Sequence, residues 1–363
     1  MNGSELSIPY LLSRPHNAFR AAVTVTLFIN TTSVVNHMEE DLYEPGNILF
    51  IAGTLLKTTD GMSTSVIAGS ENDPGHVDGV GEAARFTVMN GFAQWNSSLL
   101  VVADSQNHCL RFVDRTTNRT STFIGLCTQT GFTDGESQSA RFNFPYSLLV
   151  FNSTYLLVSD LANNAIRLVN VETATVSTLV TGVPAPKGMV MADSSQQFYV
   201  LAGYALALVD AESMSFEVLT SEEPGFKDGN LSSSQYVFPT SIDRLDNDTL
   251  VIADSFSNRT RMISLSKSEV TSMCAAITSP PGYSYPGHSY PDYSSAESDV
   301  DAECPLYPAL SVLKSGDTLY IGGAGSINMV ELNENSTDGS GAGNGEGSGE
   351  GSGEGSGDGS GEG

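Results

Sequence analysis

The stretch LLVVADSQNHCLRFVD, residues 99–114, has two counterparts, YLLVSDLANNAIRLVN at 155–170 and TLVIADSFSNRTRMIS at 249–264. In each, an apolar run ends in an aspartate (Asp104, Asp160, Asp254) and a short polar turn follows. An alternating run then carries an arginine (Arg111, Arg167, Arg261) seven residues after the aspartate. Period-two alternation bounded by turn residues reads as a β-hairpin. The first two aspartates are 56 residues apart and the last two 94, twice 47, so another copy belongs between them. It is FYVLAGYALALVD (198–210), whose polar turn is cut to Ala202-Gly203. ILFIAGTLLKTTD (48–60) has the same shortened form, and LYIGGAGSINMVE (319–331) is a third variant.

Six repeats result. Three are preceded by a second signature, VDGVGEAARFTVMNGF, TDGESQSARFNFPYSL and KDGNLSSSQYVFPTSI. STSVIAG, TSTFIG, ATVSTLV, SFEVL and EVTSMC follow the hairpins as outer strands. A unit of about four short strands is too small to bury its own apolar faces, and radial stacking of such units into a ring solves that problem. The expected fold is all-β, a six-bladed β-propeller with a disordered acidic Gly/Ser-rich tail. Its blades run roughly over 31–69, 70–126, 127–181, 182–221, 222–275 and 276–333. The last blade lacks a fourth strand, and the alternating segment AAVTVTLFIN (21–30) can supply it and close the ring. The domain plan is an N-terminal extension over 1–20, the propeller over 21–333 and the tail over 334–363.

These repeats resemble those of NHL-repeat propellers: an apolar strand running into ADSQNHCLRFVD or SDLANNAIRLVN, preceded by DG, then ARF and FP. The likeness covers about residues 31–333. It implies a six-bladed propeller used mostly to bind proteins or ligands. Relatives in the wider six-bladed group include lyases and lactonases with metal sites, which makes a metal-dependent lyase or lactonase the alternative to a binding scaffold.

Composition narrows the partners. The formal net charge is −26, and residues 334–363 contribute seven acids and no Lys or Arg, which leaves −19 on the remainder. Such a field repels polyphosphates and anionic lipid, so nucleic acid is excluded as a partner and no direct membrane insertion is expected. Neutral or cationic partners, a protein or glycan ligand in the extracellular space, fit better. Nine Asn-x-Ser/Thr sequons occur, at Asn2, Asn30, Asn96, Asn118, Asn152, Asn230, Asn247, Asn258 and Asn335. Four cysteines fall in two near pairs, Cys109 with Cys127 and Cys274 with Cys304, which suits local disulfides. Both features point to an extracellular protein, secreted or the ectodomain of a membrane protein. The start MNGSELSIPYLLSRPHNAFR lacks the basic and apolar regions of a signal peptide, so the expected natural start lies upstream.

Candidate chemistry is sparse. There is no nucleophile elbow, no Walker loop and no zinc-protease helix. The recurrent Asp104, Asp160 and Asp254, with Arg111, Arg167 and Arg261, read as architecture because a catalytic site needs its groups only once. Asn107, Asn163 and Asn258 suit left-handed or Asx geometry in the adjoining turn. No cofactor is expected. Calcium is the one ion that the acidic insertion between Cys274 and Cys304 would suit, although it lacks EF-hand spacing. The tail serines Ser348, Ser352, Ser356 and Ser360 stand in EGSGEG-like runs that suit either O-linked glycosaminoglycan or a bare flexible spacer. Sequons Asn96, Asn118, Asn152 and Asn247 fall in lower-face loops, and Asn30, Asn230 and Asn258 mark the upper face of blades one and five. This leaves blades two and three bare above. The binding residues expected there are His76, Asp78, Gln106, Asn107, His108, Asp134, Asn163 and Asn164. They lie within a sector formed by 71–86, 104–109, 127–142 and 160–164.

Overall fold

The structure is a computed structural model and describes residues 25–30, 33–257, 259–273, 311–316, 318–323 and 326–331. These form an all-β propeller whose strands gather into six antiparallel sheets. From the channel outward, the first sheet contains Val35–Glu40, Ile48–Ala52, Leu55–Thr59 and Thr64–Gly69. The second contains Met89–Asn96, Leu99–Asp104, Cys109–Asp114 and Arg119–Ile124. The third is built from Pro145–Val150, Tyr155–Asp160, Ala165–Asn170 and Thr175–Thr181, and the fourth from Pro186–Met191, Gln197–Ala202, Ala205–Asp210 and Ser215–Val218. The fifth holds Pro239–Arg244, Thr249–Asp254, Arg259–Ser264 and Glu269–Met273.

The sixth sheet is Ser311–Ser315, Thr318–Gly323 and Ser326–Glu331, and its outer strand is Val25–Asn30 from the other end of the chain. Val25 stands opposite Val330, and Asn30 opposite Ser326. The closure expected from residues 21–30 is therefore present over its described part. It gives the edge of Ser326–Glu331 a backbone partner in place of an open row of donors and acceptors.

Four strands per unit is an undercount for three sheets. Gly79–Val80, Gly135–Glu136 and Gly229–Asn230, all from the DG signature, add a two-residue strand outside the fourth. Each leads into a 3-10 turn before the chain returns to the channel.

Apolar residues from facing sheets fill the space between neighbours. Between the second and third sheets lie Val101, Leu110, Phe123, Phe142, Leu148 and Leu156. Between the sixth and first lie Val35, Phe50, Leu313 and Ile327. Proline opens three inner strands (Pro145, Pro186, Pro239), at the first strand position, where the missing N–H costs least. Those strands approach closely near the channel. A Cβ on Gly91 would lie 2.7 Å from the Tyr146 carbonyl oxygen, so no side chain fits there without the backbone shifting, and one on Gly188 would lie a tight 3.0 Å from Ile242 N.

Candidate functional site

The two recurrent sequence signatures interlock around three buried arginines. Arg111 donates from Nη1 to Asp104 Oδ2 at 3.0 Å and to the Arg85 carbonyl at 3.3 Å. Its Nη2 donates to Asp78 Oδ1 at 2.6 Å and to the Val77 carbonyl at 3.1 Å. Arg167 repeats this with Asp160, Arg141 O, Asp134 and Thr133 O. Arg261 repeats it with Asp254, Gln235 O, Asp228 and Lys227 O. The ring of each ARF-type segment, Phe86, Phe142 or Tyr236, lies 4.9–5.3 Å from its guanidinium carbon. One cation thus ties the strand-end aspartate, the DG aspartate and the aromatic of the same blade together. Sequence reading found both signatures and missed that they meet.

Charge in this network follows from burial. Asp104 is fully buried, and desolvation pushes its carboxyl up to about 6, against hydrogen bonds from Asn107 and attraction to Arg111. Asp78 and Asp134 lie at the solvent edge. Partial burial alone would raise them, but for Asp78 the Thr122 N–H and Arg111 prevail, and for Asp134 Arg167 and Thr178 prevail, so both stay below the usual carboxylate range.

Most of the expected binding residues are spent on this scaffold. Asp78 and Asp134 are arginine partners. Asn107 donates to both Asp104 oxygens at 2.9 Å, and Asn163 donates to Asp160 at 2.8 Å and to the Gly131 carbonyl at 2.8 Å. The left-handed residues are the ones that follow, His108 (φ 59°) and Asn164 (φ 51°), because Asn107 and Asn163 complete a 3-10 turn with their side chains turned inward. His108 Nδ1 accepts from Phe144 N at 3.1 Å, and Asn164 Oδ1 accepts from Ala185 N at 2.8 Å. His76 is exposed and sits 3.2 Å from Thr122 Oγ1, while Gln106 is exposed on the turn.

Two positions assigned to the upper face belong elsewhere. Asn230 lies in an outermost edge strand opposite Glu269, beside the 265–268 turn, because the DG segment crosses outside its blade before turning in. Residue Ser137 sits in the same kind of crossing, its N–H bound to the Ala174 carbonyl, so the 127–142 stretch reaches the outer rim. Asn258, Asn335, Cys274, Cys304, the acidic insertion and the tail serines lie outside the described residues. Cys109 and Cys127 form a disulfide with Cα atoms 5.0 Å apart.

The central channel is a concavity of about 300 Å³ lined by the inner strand of every sheet. Its polar wall is formed by His37, Glu39, Gln94, Tyr146, Asp243 and Lys314. His37 Nε2 lies 3.3 Å from Glu39 Oε1, and its ring packs edge-on against Phe92. Gln94 Nε2 donates to Glu39 Oε2 at 2.9 Å. Asp243 accepts from Lys314 N at 2.6 Å and Arg244 N at 2.7 Å. Burial nonetheless pushes its carboxyl up, and the charge of Glu39 adds to the rise. None of these residues was singled out from sequence, since each appears once per inner strand with no shared residue type. Among the described residues, the one group of three His, Cys, Asp or Glu whose ligating atoms come within 4.8 Å of one another is His76, Cys109 and Cys127, away from the channel.

Fold and repeats together define a β-propeller whose units resemble NHL repeats. No family model matches the sequence. Over 147 residues, 37% of the chain, it is 33% identical to NHL repeat-containing protein 2 of Bos taurus, and it spans about a fifth of that relative's length. Among solved structures, an auxiliary nutrient binding protein from Bacteroides ovatus superposes with a TM-score of 0.57 at 12% identity, over 85% of this chain and 76% of the other. A gluconolactonase from Xanthomonas campestris superposes with a TM-score of 0.57 at 11% identity, over 86% and 90%. At these identities the likeness is one of fold.

Proposed function

We propose that the chain is an extracellular six-bladed binding propeller, carried on a Gly/Ser-rich acidic stalk, which takes a neutral or cationic partner at the mouth of its channel. The channel carries this reading. All six sheets converge on it, and two of its acidic groups are engaged with the wall, Glu39 by His37 and Gln94, Asp243 by two backbone N–H groups. A carboxylate held by wall donors keeps its charge in place to attract a cation but has little freedom to act as a base or nucleophile. The net charge of −26 selects the same sign of partner over a longer range. The sequons and the Cys109–Cys127 disulfide support the secretory setting.

The test uses the glycosylated chain from a secretory host, titrated calorimetrically with spermidine as a cationic probe and citrate as an anionic one. Spermidine is expected to bind, less tightly as salt rises, and more weakly to Glu39→Gln; citrate is not. Turnover of a lactone, or preference for citrate, would overturn the reading. Peptide mapping of the sequons checks the extracellular assignment separately.

A further inference from the structure

His76, Cys109 and Cys127 come from three separate segments: the loop before the second sheet, its third strand and the loop leaving its outer strand. Their ligating atoms lie within 4.8 Å of one another. Cys109 is fully buried, Cys127 is nearly so, and His76 opens to solvent beside them. Two thiolates and a neutral imidazole are the soft, borderline donor set that zinc selects, and together with Zn²⁺ they sum to zero charge. A water on the exposed side would complete a tetrahedron. Thr122 lines that side, its Oγ1 3.2 Å from His76 Nε2 and 3.9 Å from Cys127 Sγ.

We infer that these three residues form a redox-gated zinc site: a disulfide when oxidised, a Cys₂His zinc clamp when reduced. A dithiol reductant transfers two electrons to the Cys109–Cys127 bond and leaves as its own cyclic disulfide, giving two protein thiols. Zinc then binds both sulfurs and displaces their two protons. Cys127 lies in a loop, between Leu126 and the left-handed Thr128. The same two chain segments thus stay joined under oxidising and reducing conditions, by different chemistry.

The experiment uses the full chain carrying Cys274→Ser and Cys304→Ser, so that no other cysteines compete. It is reduced with a phosphine, loaded with zinc alone and dialysed without oxygen. Elemental analysis is expected to find one zinc per reduced chain and none per oxidised chain. Cobalt in place of zinc should show thiolate-to-metal charge-transfer absorption. His76→Ala keeps the disulfide and should weaken zinc binding to the reduced chain by about tenfold or more. Equal zinc affinity in the reduced parent and His76→Ala, or no zinc in the reduced parent while its circular dichroism remains that of the folded chain, would overturn the proposal. If reduction itself unfolds the chain, zinc added during refolding must restore the β spectrum; failure to do so also overturns it.

Discussion

Arg111, Arg167 and Arg261 are fully inaccessible, and each faces a fully inaccessible aspartate. Replacing a buried pair by well-packed apolar groups is often tolerated, but removing one partner strands the other charge. Arg167→Met should therefore cost about 3–5 kcal/mol at neutral pH in urea unfolding, and less in acid, where Asp160 can take up a proton. Lys187 is a different case. It is 4% exposed, donates to the Gly203 carbonyl at 3.1 Å and lies 4.4 Å above the Phe238 ring, and burial pushes its ammonium down to about 8. Below pH ~8 both folded and unfolded chains hold this proton, and the buried charge is a fixed cost. Between ~8 and ~10.4 the folded chain releases it first, so stability rises with pH by up to about 1.4 kcal/mol per unit. Lys187→Met should be more stable at pH 7 and lose that rise, as read from urea midpoints across the alkaline range.

At the scale of strands and sheets, the hairpins were legible because Asp104, Asp160 and Asp254 end equivalent strands and their arginines return at a fixed distance. The shortened hairpins at Ala52 and Ala202 were legible by length and alternation alone, having alanine where the others end their strand in aspartate and no arginine on the return strand. The channel was not legible. A residue facing it is chosen by what stands across the ring, some 50 or more positions away in sequence, so His37, Asp243 and Lys314 carry no local pattern. The outer crossing of the DG segment was also hidden, since a two-residue strand such as Gly229–Asn230 shows no periodicity. The closing strand was found through an absence, a sheet short of one member. Deleting residues 1–30 should expose the edge of Ser326–Glu331. Hydrogen exchange is expected to show protection lost there first, while amides of Leu99–Asp104 and Tyr155–Asp160 keep theirs.

Over the whole molecule the buried carboxyls act together. Asp104, Asp160, Asp243 and Asp254 are all raised by desolvation, Asp104 to about 6. A raised carboxyl contributes stability that is complete below its unfolded value near 4 and is lost as pH climbs through the folded value. Asp78 and Asp134 have the opposite sign and lose their contribution as pH falls below ~4. The chain should therefore be most stable near pH ~4, above both its pH ~2 and pH ~7 values, in urea unfolding at constant salt. The pairing of Val25–Asn30 with Ser326–Glu331 also has a meaning in time. About 300 residues separate these strands, and a ribosome adding 5–20 residues per second needs roughly 15–60 s to bridge them. During that interval Val25–Asn30 is a newborn strand with no native mate, while the sheets between can already stack in order of synthesis. The ring is thus a molecule whose first-made strand is among the last to find its place.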